Sequence, residues 1–357
     1  MPLTIQLLLA LLIIVGIFSF TRHSLTVYAV LMPFIIITYS LISGFRNVGA
    51  DTETYISIYG NVDQFSMYML PLQVVTYVEV GYNNIMYLFK HFGASFEIFS
   101  TAMTLFFLIG VFHSYKSITN NYYVAAMSLI FFLFTFTCYQ LTFNQVRQGV
   151  SIVFVLFATN SLYVNDHKKY LSWVLVSSLF HSSALMFLAL PVFRSFIESM
   201  STKTRWTIIA LMPVMMNIGF GKEIVSAIIT VSNGVIDLGN VGDRVSRYSD
   251  SDLFGRQSEF GLITILSLLG LCVLNMYSEV NDKSTRFFTS LVTFGYFVFS
   301  ITFDFVVISQ RILYVFDIIM VCLLVNTLVN HDKDNEKFLL SAVIFIALSL
   351  KVVVTRA

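Results

Sequence analysis

The sequence predicts an all-α, polytopic integral membrane protein, a single transmembrane domain over residues 1–357 with about 11–13 transmembrane or half-membrane helices. Three observations predict it. Hydrophobic residues fill 57% of the 357 positions and charged residues only 11%, whereas ordinary soluble domains are roughly 45–50% apolar and about 25% charged. Mean hydropathy is +0.80 and 36 residues are phenylalanine, more apolar surface than a soluble chain of this length can hide. Apolar runs approaching the ~20 residues needed to cross a bilayer recur along the whole chain.

In chain order the runs are 3–20, 25–43, 95–113, 122–140, 146–163, 170–190, 206–220, 260–278, 287–304, 312–329 and 338–354. Two shorter runs, 80–92 and 222–236, fit a half-helix dipping into the membrane, an interfacial helix or a short span. The N-terminus carries no basic stretch and no small-residue cleavage pattern, so 3–20 reads as a retained span. Lys116, Lys168, Lys169, Lys283, Lys333 and Lys337 lie in short connections, and positive connections stay in the cytoplasm. That rule places 114–121, 164–169, 279–286 and 330–337 inside, and the lysine-free segments 44–79 and 237–259 outside. The N-terminus is then outside, and the chain makes twelve spans if 222–236 crosses. One conflict remains: Arg194, Lys203 and Arg205 crowd 191–205, which this topology puts outside. Moving that stretch inside requires 170–193 to turn back within the membrane.

Composition also excludes several function classes. Lys+Arg 21 against Asp+Glu 20 leaves no basic face for nucleic acid. Cys138, Cys272 and Cys322 sit far apart inside apolar runs and read as small core hydrophobes, neither a disulfide framework nor a metal site. There is no phosphate-cradling loop, dinucleotide fingerprint or His-Glu-x-x-His spacing, so neither a cofactor nor a metal is expected. The informative residues are the arginines of the outer segments, Arg46, Arg244, Arg247 and Arg256, with Arg147 and Arg311 at outer span ends. Outer segments are ordinarily poor in positive charge, and a guanidinium fork grips phosphate or carboxylate through two bonds. Structural pairing with Asp51, Asp237, Asp243, Asp250, Asp252 or Asp304 explains each arginine equally well.

Five clusters carry candidate chemistry. Arg46, Asp51 and Tyr55 follow the second span, with Gly49 permitting a tight turn between them; they form either a cation and carboxylate of one site or a solvated loop with a weak surface salt bridge. Glu79 opens the run 80–92, where favourable contact with a helix dipole is explanation enough. Arg147 and Gln148 lie in the polar tip Phe143–Gly149 joining two spans. A guanidinium there needs either a structural partner or an anionic ligand in a wet cavity. His181 shares a helical face with Ser177, Ser178 and Ser182 and is either a hydrogen-bonded core group or a base and phosphate donor lining a cavity. Arg311 and Tyr314, three apart, face one side of the span that also carries Asp317, so Arg311 with Asp304 or Asp317 is an alternative buried pair. The loop 237–259, with Arg244 and Arg247, is long enough for a working loop or lid.

In this order the clusters resemble the EpsG family of bacterial membrane proteins, which contains Wzy-like polymerases of surface polysaccharides. The matching elements are Arg46-x-x-Gly49-x-Asp51-x-x-x-Tyr55, Glu79-x-Gly81-Tyr82, Asn144-Gln145-x-Arg147-Gln148, Phe180-His181-x-Ser183-Ala184 and Arg311-x-x-Tyr314. The resemblance runs from about residue 40 to 320; 191–305 matches in hydropathy alone. It implies a GT-C-type glycosyltransferase of the bacterial inner membrane, with outer segments 44–94 and 237–259 contributing to a site that faces the periplasm or exterior. Its substrates would be oligosaccharide repeat units on undecaprenyl pyrophosphate, joined into O-antigen, capsule or exopolysaccharide. Its partners would be membrane lipids and a chain-length regulator, with no cofactor. The residues carried over are Arg46, Arg147, Arg311, Tyr55, Tyr314 and Gln148 for the pyrophosphate-linked substrate; Arg244 and Arg247 join them as candidates on the strength of their charge and outer position alone, not of a matching motif. Asp51, His181 and Glu79 are carried over for catalysis, Asp51 being the first choice of base.

Two other classes suit the same residues. A flippase of lipid-linked sugars would line its cavity with arginines, and a membrane O-acyltransferase would use His181 and arginines. The acyltransferase needs its donor from the cytoplasm, whereas the polar clusters lie on the expected outer face.

Overall fold

The computed structural model describes residues 25–46, 48–49, 51–63, 65, 74–75, 78–218, 262–277 and 282–330. The expected runs 3–20, 222–236 and 338–354 lie outside the described residues, as do Arg244, Arg247 and Arg256 with the loop 237–259, and Lys333 and Lys337. What is described is almost wholly helical, with one two-stranded hairpin. The helices are α1 (Leu25–Gly44), α2 (Thr52–Gly60), α3 (Val80–His91), α4 (Phe96–Thr119), α5 (Tyr122–Leu133), α6 (Phe136–Tyr139), α7 (Val146–Tyr163) and α8 (His167–Ser178). They continue as α9 (Arg194–Ser199), α10 (Thr202–Ile218), α11 (Leu262–Tyr277), α12 (Lys283–Ile301) and α13 (Val306–Asn330). Among the described residues α4 and the Ile308–Val329 part of α13 are long and apolar enough to cross a membrane, three spans in all if a bent pair at 122–144 counts as one.

The expected lysine connections are also where helices are capped. Asn120 takes a left-handed conformation (φ 49°) that ends α4. Next to it the Asn121 side chain accepts from the amides of Tyr123 and Val124 at 2.9 and 3.3 Å and starts α5. Asp166 starts α8 by accepting from Lys169 N at 3.0 Å, and Asp282 starts α12 by accepting from Ser284 N and Thr285 N. Asn and Asp satisfy helix-end amides that would otherwise lack partners.

Two of the expected spans are not straight helices. In 122–140, Thr135 interrupts: its hydroxyl accepts from Cys138 N at 3.1 Å and caps a new helix, as a short hydroxyl side chain competing with the ladder can do. The pieces Tyr122–Leu133 and Phe136–Asn144 meet at 74°, and the second ends in a π-helical turn, Gln140–Asn144. In 170–190, α8 stops at Ser178, His181 is extended (φ −157°, ψ 119°), and Ser182–Phe193 continues as a 3₁₀ helix. That 3₁₀ helix doubles back along α8. The Tyr170 hydroxyl, near the start of α8, donates to the Phe187 carbonyl, and Arg194 Nε donates to Leu162 O, at the end of α7, at 2.9 Å. At 1.5 Å per residue, the 12 residues of α8 rise only ~18 Å before the turn, little more than half of a ~30 Å hydrocarbon layer.

This hairpin corrects the placing of 191–205. That stretch lies at the same end of the bundle as the lysine connections, not the opposite one. Glu198 takes Arg194 at 3.1 Å and Lys283 at 3.7 Å, and Ser284 Oγ donates to Ile118 O at 3.0 Å. Arg205 is buried there, donating to Asn275 Oδ1 at 2.6 Å and to Ser290 Oγ at 3.3 Å. The charges of 191–205 therefore share one end of the bundle with Lys283. The opposite end holds the C-terminus of α1, the N-termini of α4 and α7, the hairpin tip at 179–181 and the first turns of α13.

The main core runs through α1, α4, α5, α7, α12 and α13 and includes Cys138 and Cys322, both buried thiols. A second, smaller core closes the end opposite the lysines. There Tyr55, Tyr59, Tyr82, Met86, Phe99, Val146, Val150 and Phe180 bring α2, α3, α4, α7 and the hairpin tip together. The run 80–92 is thus α3, part of a cap over that end.

Candidate functional site

The cap is built around Glu79. Val74 and Val75 pair antiparallel with Glu79 and Val78, a short hairpin that delivers Glu79 to the N-cap position of α3. Gly81 then lets this strand–helix junction press on the hairpin tip. Its amide donates to Leu179 O at 2.8 Å, and a Cβ at position 81 would lie 2.8 Å from that same oxygen. Only glycine permits so close an approach.

The Glu79 carboxylate does not cap α3; no side-chain cap bond is made. It turns instead into the protein and gathers two of the other clusters. Oε2 accepts from Arg147 Nη1 at 2.8 Å. Oε1 lies 3.1 Å from His181 Nδ1 and accepts from Ser182 N at 3.2 Å. Burial opposes ionisation of Glu79, but the hydrogen bond to His181 and the neighbouring Arg147 charge outweigh it and hold the carboxyl at about 2. The expectation of a dipole-capping role is corrected accordingly: the carboxylate is the hub of a buried network.

Arg147 stands in the first turn of α7. Its Nε donates to the Tyr55 hydroxyl at 3.4 Å and its guanidinium lies 5.8 Å from the centre of the Tyr55 ring. Tyr55 also touches Tyr82, at a ring separation of 6.3 Å. Gln148, one residue on, is buried and donates through Nε2 to Arg311 O at 3.4 Å, tying α7 to α13. Its side chain therefore positions Arg311. Tyr314 is buried one turn beyond Arg311, bonded to Gln310 at 3.4 Å and beside Gln145. The Arg311 charge reaches His181 electrostatically, as does that of Arg147.

Arg46 differs from the expectation of a surface arginine paired with Asp51. It is 5% exposed. Nη1 donates to Ser43 O at 2.8 Å and Ser100 Oγ at 2.7 Å, Nε donates to Thr52 Oγ1 at 3.3 Å, and the guanidinium lies 5.8 Å from the centre of the Phe143 ring. Its electrostatic neighbours are the neutral phenols of Tyr82, Tyr55, Tyr139 and Tyr39, and burial pulls its affinity for the proton below the ordinary value. Among the described residues no carboxylate pairs with it, and Nη2 is buried without a partner. Gly49 (φ +127°) folds the 46–52 segment against the π-turn, where a Cβ would lie 2.6 Å from Phe143 O. Asp51 is exposed at the N-cap of α2, its carboxyl raised by partial desolvation against the pull of Arg147.

All five sequence clusters thus converge at one end of the bundle. His181 lies in a break, so the helical face expected for Ser177, Ser178, His181 and Ser182 does not exist; Ser177 bonds Ser151 at 2.7 Å instead. Asp317 is likewise not spent on Arg311. It accepts from the Tyr296 hydroxyl and from Thr137 Oγ1, the latter at 2.7 Å, and so braces the broken helix against α12 and α13. Sequence reasoning missed the Ser43–Ser100–Thr52 cradle of Arg46 and the Ser182 amide, since small hydroxyl residues near helix ends carry no distinguishing pattern. Among the described residues no cluster of three His, Cys, Asp or Glu is arranged to hold a metal.

Chemically, among the described residues the arrangement offers a buried guanidinium with no carboxylate partner, a second guanidinium neutralised by a carboxylate, and a histidine on that same carboxylate with its far nitrogen unbonded. It suits an anionic substrate undergoing proton transfer. No curated protein and no solved structure matches the chain. The model of the EpsG family matches residues 29–357, nearly the whole length. Its apolar helices and that match identify a membrane protein of the polysaccharide-polymerase type: the chain belongs to the EpsG family.

Proposed function

We propose that the protein is a GT-C-like membrane glycosyltransferase that joins undecaprenyl-pyrophosphate-linked oligosaccharide repeat units into O-antigen, capsule or exopolysaccharide. The reaction takes place on the outer face of the bacterial inner membrane. The observation that carries this reading is Arg46. A buried guanidinium costs several kcal/mol when its charge is unpaired, yet among the described residues Arg46 Nη2 has no partner and no carboxylate lies beside it. An anionic ligand supplies the missing charge, and a pyrophosphate matches the guanidinium fork. The placing of the short lysine-bearing connections and 191–205 together at the far end of the bundle supports an outward-facing site, because lysine-rich connections remain cytoplasmic.

In this mechanism the growing chain rides on one lipid pyrophosphate. A hydroxyl of the incoming lipid-linked unit attacks the anomeric carbon, the bond from that carbon to the pyrophosphate oxygen breaks, and its electron pair leaves on the pyrophosphate. Arg46 and Arg311 stabilise the charge that develops there, with Arg147 completing the wall and Tyr55 and Tyr314 lining it. Preorganised charge of this kind in a water-poor site is worth about 3–4 kcal/mol per donor. Arg244 and Arg247 would approach from the 237–259 loop, and a chain-length regulator would act on the same face.

Deleting the gene and analysing surface polysaccharide on a gel tests the reading. A polymerase deletion collapses the ladder to a single displayed repeat unit, and Arg46→Ala fails to restore it while the wild-type chain does. Units trapped inside the cell would mean a flippase, and an intact ladder lacking only acyl groups would mean an acyltransferase; either result overturns the proposal.

A further inference from the structure

The structure assigns the proton transfer of this reaction to His181, with Glu79 as its positioning residue. The assignment rests on the polymerase reading and decides which group takes the proton from the acceptor hydroxyl. His181 is 8% exposed and sits in extended backbone at the tip of the hairpin. Its Nδ1 faces Glu79 Oε1 at 3.1 Å. An ionised carboxylate only accepts, so Nδ1 carries the hydrogen and Nε2 carries the lone pair. Nε2 is buried and has no hydrogen-bond partner among the described residues. A histidine held by a carboxylate at one nitrogen and bare at the other is the arrangement that moves a proton at the bare atom.

The two other candidates are less suited. Both oxygens of Glu79 are committed, one to Arg147 and the other to His181 and Ser182. Asp51 lies exposed at a helix cap, outside the buried network. Geometry also explains Arg147. It holds Glu79 from the side opposite His181, so one carboxylate couples a cation to the base. The charged groups facing His181 are Glu79 from the strand–helix junction, Arg147 from α7 and Arg311 from α13.

In the step, the acceptor oxygen bonds to the anomeric carbon as its proton moves to His181 Nε2. The pyrophosphate departs with the electron pair, and Glu79 stabilises the imidazolium. The proton then passes to the released pyrophosphate or to water, and His181 returns to its starting state.

The test uses the full chain in proteoliposomes, with undecaprenyl-pyrophosphate-linked repeat units isolated from a polymerase-deficient strain, and undecaprenyl pyrophosphate as the binding probe. His181→Gln is expected to lower kcat by about 10²–10⁴-fold, the usual contribution of a positioned acid–base group, while binding of the probe is retained. The acidic limb of the wild-type pH–rate profile should vanish in His181→Gln and shift in Glu79→Gln. A merely structural Glu79 would change the amount of folded protein and leave the limb in place; Glu79→Asp, which keeps the charge, should restore part of kcat. Wild-type kcat in His181→Gln, or loss of the limb in Asp51→Asn but not in His181→Gln, overturns the assignment while leaving the polymerase reading intact. Failure of the wild-type chain to polymerise at all would instead sink the reading on which it rests.

Discussion

Replacing Glu79 by glutamine should cost the fold about 3 kcal/mol at neutral pH, and that cost should fade in acid. Two routes give the magnitude. Moving a carboxyl from its ordinary 4.5 to about 2 corresponds to about 3 kcal/mol. Removing one partner of a buried ion pair costs about 3–5 kcal/mol, and the side-chain exposures of 7% for Glu79 and 24% for Arg147 argue for the lower end. Because the folded value lies below the unfolded one, the stabilisation is complete above about 4.5 and declines as the pH falls toward 2. At pH 3 less than half of it should remain. Denaturant unfolding of the detergent-solubilised chain measures this through Trp173, which stacks on Phe154 at 5.9 Å and meets Phe157 edge-on at 5.4 Å. Those contacts join α8 to α7, so the signal reports the hairpin whose tip Glu79 holds. A gap between wild type and Glu79→Gln below about 1 kcal/mol at pH 7, or an equal gap at pH 7 and pH 3, would refute the reasoning.

Other outcomes follow from the same geometry. Gly81→Val should abolish polymer formation with helical content by circular dichroism unchanged, since a Cβ at 2.8 Å from Leu179 O must push α3 off the hairpin tip. Arg46→Met should leave the stability of the ligand-free chain within about 1 kcal/mol of wild type, because the lost hydrogen bonds offset the relieved burial, yet remove all polymer in a complementation assay. Asp317→Ala should destabilise by about 2–4 kcal/mol, as the Tyr296 and Thr137 hydroxyls lose their acceptor, whereas Asp317→Asn should recover at least half of that. Single cysteines at Lys168 and Lys203 should both resist a membrane-impermeant maleimide in intact cells while one at Glu53 reacts, all three side chains being exposed; labelling of position 203 alone from outside would overturn the re-entrant reading of 167–193.

Much of this was legible in the sequence because it rests on local rules. Asn121, Asp166 and Asp282 announce helix starts by their chemistry, and hydropathy located most of the helices. The five polar clusters stood out against an apolar background, and the fold brings all five together. What hydropathy does not encode is the path of the chain inside the membrane. A straight helix and a hairpin of a helix and a 3₁₀ limb bury the same Leu, Phe and Val side chains, so 170–190 read as one span. The clue was the excess of Arg194, Lys203 and Arg205 on the wrong side, which the hairpin removes. The role of Glu79 was hidden for a different reason. Position alone makes a carboxylate at a helix start look like a capping group, and only tertiary contact reveals that it faces Arg147 and His181 instead.

The two departures from straight helices explain why the site is where it is. A continuous helix through 170–190 would keep the backbone at Leu179 satisfied within its own turn and would present His181 to neighbouring helices at bilayer depth. Breaking it frees the Leu179 carbonyl for Gly81 N and the Ser182 amide for Glu79 Oε1. The bend at Thr135 and the π-turn after it act in parallel, bringing Phe143 and Gln145 against Arg46 and Tyr314. Irregular backbone at membrane depth is tolerated only where protein or a wet cavity satisfies it. Here each irregular stretch is satisfied by a residue of another cluster, so the interruptions and the polar clusters require one another. Asp317 makes the same point from the core side: one hydroxyl that holds this carboxylate, Thr137, comes from the helix restarted after the break, and the other, Tyr296, from α12. The few charges among the described residues therefore divide by place, with Lys283, Arg194 and Arg205 anchoring one end, Glu79 and Arg147 neutralising each other at the other, and Arg46 held there by hydroxyls and a carbonyl instead of a carboxylate.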